Sequence, residues 1–278
     1  MIKIVDLSKS FGSFYALRQV NLEIHNGEFW MIVGPNGAGK TTLLKIIATL
    51  AQPTNGVVEI NDDIPPGPPS KGGSERTEAK GGSERTEAKG ESERIEATGG
   101  AERIEAKGGS GRLQVRRQIG FIGHQSFLYS NLTAEENLKF YARMYQLPNG
   151  EQRIQDILQQ VGLIGRKNDL VRTFSRGMQQ RLSIGRALLS DPKIVLLDEP
   201  FSGLDQNAIE NFVALFTSLI SPDRIIIMTT HDLQLGLQLA SHFAVISRGR
   251  IVHQGKNARS FDLSQFKALY KRLTDEST

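Results

Sequence analysis

The chain has no cysteine, which excludes disulfides, thiolate zinc sites and thiol nucleophiles and fits a reducing compartment. It has no run of about eighteen apolar residues, the length a helix needs to span a bilayer. Its opening residues, MIKIV, lack the basic-then-apolar layout of a secretory leader. One tryptophan occurs in 278 residues, and aromatic residues make up 7%. A strong excess of one sign is also lacking: 34 Lys and Arg against 30 Asp and Glu leave +4, which permits contact with anionic lipid or nucleic acid but on a chain this long more often serves solubility alone, and no nucleic acid partner is expected. What remains, 38% hydrophobic, supplies a core for one large or two small domains. The expectation is a soluble globular protein that stays in the cytoplasm.

Glycine is plentiful, and its most telling use is GPNGAGKTT at residues 34–42. An apolar run, Phe29-Trp30-Met31-Ile32-Val33, precedes it, and Leu43-Leu44-Lys45-Ile46-Ile47 follows. Strand, phosphate-binding loop and helix is the context that G-x-x-x-x-G-K-T requires. Gly34, Gly37 and Gly39 let backbone N–H groups turn inward toward phosphate oxygens. Lys40 then serves the β- and γ-phosphates, Thr41 is a Mg²⁺ ligand, and the helix N-terminus adds partial positive charge. The chain is thus expected to bind a nucleoside triphosphate.

Upstream, Val20, Leu22 and Ile24 alternate with polar residues as in a half-buried strand. Asn26-Gly27 then predicts a type I′ turn and a hairpin into the strand at Phe29. Phe11 is an aromatic placed to stack on an adenine base, or else a core residue. Residues 56–61 predict a short strand, which PPGPP at 65–69 terminates.

Residues 72–107 repeat a nine-residue unit four times: GGSERTEAK twice, GESERIEAT, GGAERIEAK. With no aromatics, two isoleucines, and nine acidic against seven basic residues, this segment has too little apolar surface to offset its ordering entropy. Residues 65–110 are read as a disordered insertion. Lengthening a loop from about four to about fifty residues costs only roughly 2 kcal/mol of closure entropy, so the fold tolerates it.

Order is expected to resume with a strand at 115–125 ending in His124-Gln125. Thr133-Ala-Glu-Glu136 is a capping box opening a helix to about Tyr145. Ile154, Ile157, Leu158 and Val161 fall at i, i+3, i+4, i+7, predicting a second helix. A third follows FSRGMQQR at 174–181 and runs to Leu189, so residues 127–190 read as an inserted helical subdomain. Residues 194–198 and 224–230 predict buried strands, 243–246 and 250–253 a closing hairpin, and 263–273 a tail helix.

Four apolar segments end at Gly34, Gln125, Asp198 and His231, and strand C-termini are where open α/β sheets build ligand sites. Asp198 is expected to hold Mg²⁺, and Glu199 to accept a proton from attacking water. His231 is a hydrogen-bonding partner for the γ-phosphate or that water, and Gln125 for Mg²⁺ and the lytic water. The alternative for both is an ordinary polar strand end.

The order GPNGAGKTT, Gln125, FSRGMQQR, LLDEP, SGLD and His231 resembles the ATP-binding subunit of an ABC transporter over everything except the repeat. The resemblance implies an α/β P-loop NTPase fold of ABC type, with an antiparallel β subdomain and an inserted α-helical subdomain. It assigns Gly34, Pro35, Asn36, Gly37, Ala38, Gly39, Lys40, Thr41 and Thr42 to the Walker A loop and Phe11 to adenine stacking. It makes Glu199 the general base, His231 the switch histidine and Gln125 the Q-loop glutamine. Ser175 and Gly177 match the signature that caps the ATP of a second copy or homologous subunit, and residues 202–205, with Asp205, match the loop between the two sites. Phe174, Arg176 and Met178 depart from the signature LSGGQ. ATP and Mg²⁺ are the implied ligands, and a separate transmembrane permease, met at the cytoplasmic face of the membrane, is the implied partner. Gly123-His124-Gln125, Phe127-Leu128-Tyr129, residues 132–138 and 140–143, with FSRGMQQR, further resemble the ATP-binding subunit of heme exporters of cytochrome c maturation. His124 stands where many relatives carry proline, as a polar loop residue. Other ABC exporters, and soluble ABC ATPases, are the alternatives.

Overall fold

The structure, a computed structural model, describes residues 1–60, 93–96, 117–123 and 126–275. Two sheets and a set of helices enclose two hydrophobic cores. The larger sheet has the order β10-β9-β3-β8-β7-β6: β3 (Phe29–Val33), β6 (Ile119–Ile122), β7 (Ile194–Asp198), β8 (Ile225–Thr229), β9 (His242–Ser247) and β10 (Arg250–Lys256). All neighbours are parallel except the β9–β10 edge hairpin. Strands β3, β7 and β8 are buried at every position because both faces are covered, and they are apolar up to Asp198 and Thr229 at the ends of β7 and β8. In β3, Phe29, Met31 and Val33 enter one core and Trp30 and Ile32 the other; β7 divides the same way, Val195 and Leu197 against Ile194 and Leu196. Each such side chain contributes roughly 1.5–3 kcal/mol by leaving water.

One core lies under the helices: α2 (Ala134–Met144), α3 (Gly150–Gln160), α4 (Arg176–Leu188), α5 (Gln206–Ser218), α6 (Leu233–Leu239) and α7 (Leu263–Asp275) all contribute. On the opposite face lie α1 (Lys40–Ile47) and the smaller antiparallel sheet: β1 (Ile2–Phe11), β2 (Phe14–Ile24), β4 (Asn55–Ile60) and β5 (Glu93–Glu96), in the order β2-β1-β4-β5. Leu43, Leu44, Ile46 and Ile47 of α1 fill the gap between the two sheets. The phosphate-loop helix is thereby clamped on two sides.

Two expectations change. Asn26-Gly27 makes no hairpin: β2 pairs with β1 and β3 with β8 and β9, in a different sheet. Only Gly27 has positive φ (+81°), whereas a type I′ turn needs two such residues. The half-buried alternation of β2 suits an antiparallel partner, and the all-apolar β3 needs parallel neighbours on both edges. Second, residues 93–96, inside the repeat, form β5 on the edge of β4, with Val57 opposite Glu96 and Ile60 opposite Glu93. An edge strand offers unpaired N–H and C=O groups to any extended segment within reach. An insertion without regular structure is therefore not what these four residues show. The remaining repeat residues, with His124 and Gln125, lie outside the described residues.

Candidate nucleotide site

The loop at 34–39 leaves the C-terminal end of β3 and enters α1 directly. Gly34 is needed for packing: a β-carbon there would stand 2.1 Å from the Ile246 carbonyl oxygen. Gly39 is needed twice over, since its φ is +106° and a β-carbon would meet Ala16 O at 2.3 Å. As the N-cap of α1, Gly39 offers no side chain to the helix, and the first turn carries no acid. The free N–H groups and positive end of α1 therefore face the loop, an arrangement made for an anion. Ala38 is buried, while Pro35, Asn36 and Gly37 form the exposed tip. Lys40, only 8% exposed, folds back so that Nζ donates to the carbonyl oxygens of Gly34 (2.7 Å) and Pro35 (3.2 Å). Burial pushes its ammonium below the ordinary lysine range, opposed by the carboxylates of Glu199 and Asp198.

Those carboxylates come from the end of β7. Asp198 is buried, and its Oδ1 accepts from Thr41 Oγ1 (2.9 Å) and Thr229 Oγ1 (2.7 Å). Three elements, α1, β7 and β8, thus meet on one carboxylate oxygen. Glu199, at φ +52°, is turned out of the strand direction, and its N–H donates to Thr229 O (3.1 Å) and Oγ1 (3.2 Å). A non-glycine residue in this region is uncommon and is held by its surroundings. Glu199 Oε2 accepts from the His231 N–H (3.2 Å) and lies 2.7 Å from His231 Nδ1. An ionised Glu199 therefore calls for the proton on Nδ1, leaving Nε2 as the other working atom of the ring.

The expected residues fall into two groups. Residues 34–42, Asp198, Glu199 and His231 converge at the C-terminal ends of β3, β7 and β8. Ser175, Gly177 and Asp205 sit at other helix starts. Ser175 is exposed and N-caps α4, accepting from Met178 N (3.3 Å), and among the described residues a Gly177 β-carbon would meet nothing within 4 Å beyond its chain neighbours and its own helix backbone. Asp205 N-caps α5, accepting from Ala208 N (2.8 Å). Phe11 is exposed at the tip of the β1–β2 hairpin with Phe14 and Tyr15, and is not core. That hairpin reaches the phosphate loop through Ala16, the residue against Gly39.

Three residues escaped the sequence reading. Thr229 organises both carboxylates, yet in sequence it is merely the end of an apolar strand. Asn137, fully buried, donates from Nδ2 to the carbonyls of Tyr129 (3.0 Å) and Thr133 (2.9 Å) and accepts from Tyr129 N (2.8 Å), shaping the loop before α2. Arg186 is buried, donates to Phe121 O (2.7 Å) and stacks on Phe127 and Tyr141. Burial lowers its pKa, opposed by Tyr141. The alternating small and apolar residues around it in α4 give no sign of a buried cation.

A strand–loop–helix cradle, its buried lysine, and two carboxylates at the end of a parallel strand one place further across the sheet, beyond β8, define a P-loop nucleoside triphosphate hydrolase. Residues 17–202 match the model of the ABC transporter family, and the chain belongs to that family as an ATP-binding, ATP-hydrolysing cassette. It is 30% identical over 277 residues to the ABC transporter ATP-binding protein NatA of Bacillus subtilis (strain 168), covering 95% of each chain. It is 31% identical to the bacitracin transport ATP-binding protein BcrA of Bacillus licheniformis, covering 91% of this chain and 69% of that one. Among solved structures, a post-hydrolysis dimer of the ATP-binding cassette MJ0796 bound to ADP and Pi superposes with TM-score 0.71 at 26% identity, covering 92% of this chain and 99% of that one.

Proposed function

We propose that this chain hydrolyses ATP to drive a membrane transporter and works as a pair, each copy lending Ser175 and Gly177 to the nucleotide on its partner's phosphate loop. The observation that carries this reading is the meeting of Lys40, Thr41, Asp198, Glu199 and His231 at three strand ends. The N–H groups of residues 37–42 and Lys40 hold the phosphates, and Phe11 stacks on the adenine. Thr41 Oγ1 and the Asp198 carboxylate are hard oxygen donors already in contact, a fitting pair for Mg²⁺ with phosphate oxygens. When bound, Mg²⁺ neutralises charge on the β- and γ-phosphates. Glu199 takes the proton from water as that water's oxygen bonds to the γ-phosphorus and the bond to the bridging oxygen breaks. His231 orients Glu199 through Nδ1 and meets the γ-phosphate or water through Nε2. The family resemblance assigns Gln125 to Mg²⁺ and the lytic water, and Asp205 to the turn between the two sites.

The conserving variant Glu199→Gln is expected to bind ATP, stop turning over and accumulate as an ATP-bound dimer in sedimentation; turnover at the normal rate removes Glu199 from the role of base. Lys40→Ala is expected to lose ATP binding, and normal affinity in that variant refutes the loop assignment.

Force reaches a separate permease at the cytoplasmic face of the membrane, where the chain sits peripherally. A patch of exposed aromatics, Phe127, Tyr129 and Phe140, beside Met144, supports docking on the helical subdomain. Tyr129 and Phe140 pack edge to face at 4.9 Å. Co-purification of a multi-spanning protein from membranes tests this, and recovery on ribosomes or nucleic acid opposes it. The finer reading is heme export for c-type cytochrome biogenesis, supported by the blocks around 123–143 and FSRGMQQR; deletion of the gene should then abolish covalent c-type cytochromes. A second reading, export of another cargo, is favoured by the likeness to a bacitracin transport protein, and intact cytochromes after deletion decide for it.

A further inference from the structure

The first turn of α4 is fastened to the turn that follows Glu199. Arg176 lies against Gly203: a β-carbon on that glycine would stand 2.8 Å from Arg176 Cζ and 3.0 Å from both Nη1 and Nη2. Cζ is the nearest of the three atoms, so the glycine meets the flat of the guanidinium rather than its edge. One helical turn later, Gln180 Nε2 donates to Pro200 O (3.4 Å). Positions i and i+4 share a helix face, so Arg176 and Gln180 grip the same turn at two points. That turn is short and bonded to itself, Ser202 N–H to Glu199 O (3.2 Å) and Leu204 N–H to Phe201 O (3.3 Å). It carries Gly203 at φ +73° and begins at Glu199, itself at φ +52°. A shift of the α4 N-terminus therefore reaches Glu199 through few bonds and little slack.

We propose that Arg176, assisted by Gln180, is a positioning residue for hydrolysis. It carries the seating of the partner's nucleotide on Ser175 and Gly177 to Glu199 of its own chain, so that occupancy of one site sets the base of the other. The inference rests on the paired reading above and gives a purpose to the arginine that departs from the signature LSGGQ. Arginine suits the task because its planar group covers a bare glycine, whereas the lysine ammonium is a point charge with no flat face.

The test uses the full chain with Arg176→Ala, Arg176→Lys, Gln180→Ala, and Arg176→Ala combined with Glu199→Gln. ATPase rate against ATP concentration, nucleotide affinity at low protein concentration, thermal midpoint and ATP-dependent dimerisation are measured. Both Arg176 variants should lower kcat by roughly ten- to a hundredfold, the upper figure being the scale of a catalytic group misplaced by about 1 Å, and bring the Hill coefficient toward unity. Nucleotide affinity and thermal midpoint should stay unchanged, and Gln180→Ala should shift kcat and the Hill coefficient in the same direction by less. Arg176→Ala in the Glu199→Gln background should still dimerise with ATP. Rescue by lysine overturns the inference, because charge rather than the flat contact then matters. Loss of the dimer in the double variant alone also overturns it, placing Arg176 on the partner's nucleotide. A Glu199→Gln chain that forms no ATP-bound dimer overturns the paired reading and this inference with it.

Discussion

Trp30, the one tryptophan, stacks on His242 with ring centroids 5.0 Å apart. His242 Nε2 lies 3.3 Å from Glu28 Oε1, and Glu28 Oε2 accepts from Trp30 Nε1 (2.7 Å). Burial lowers the His242 pKa from 6.5, with the charges of Lys256 and His25 acting the same way and Glu28 opposing. The fold therefore favours the neutral ring, and the unfolded chain takes up this proton first as pH falls. Stability from this group is complete above about pH 6.5, declines as pH drops toward the depressed folded value, and is flat below it. Trp30 fluorescence should titrate with a midpoint below 6.5, and His242→Gln should remove that part of the pH dependence; a midpoint above 6.5 contradicts the assignment. At this scale the nucleotide residues were legible because the chemistry demands lysine, aspartate and glutamate at particular offsets. Thr229 and Arg186 were not, since each acts through neighbours far away in the chain, and Asn137 was not, since its backbone partners carry no mark in the sequence.

Among the elements, α2 shows local sequence in command. Thr133 Oγ1 accepts from Glu136 N (3.2 Å), and Glu136 Oε2 accepts from Thr133 N (2.8 Å), the reciprocal cap that TAEE foretold. Thr133→Ala should cost about 1 kcal/mol, read as a lower denaturant midpoint with an unchanged slope. No change in midpoint would mean that packing of Leu138 and Tyr141 alone holds the helix start. The β9–β10 hairpin was legible for the same reason: Arg248 and Gly249 both take positive φ, at +48° and +78°, as a tight two-residue turn requires. Asn26-Gly27 misled because a turn signal says nothing about which sheet each flanking strand will join.

For the whole molecule, the repeat at 72–107 has the composition with the least apolar surface to bury. Replacing residues 65–110 with a short Gly/Ser linker should leave ATPase activity within about twofold, because loop length enters closure entropy only logarithmically. A large loss would show that β5 on the edge of β4 supports the smaller sheet, and with it the face of α1. The ATPase cassette itself depends on both sheets, since α1 lies between them.

Sequence alone determined the phosphate loop, the paired carboxylates, the capping box at Thr133 and the apolar strand runs, because each follows from bonding or periodicity within a few residues. Tertiary structure decided which strand ends meet, since β3 lies between β8 and β9 although β4 to β7 separate it from them in the chain. It decided that Asp198 gathers Thr41 and Thr229, that Glu199 binds His231, and that Arg176 covers Gly203. Those contacts join residues up to 157 positions apart, and long-range contacts of that kind are set by the packing of whole layers rather than by any local pattern.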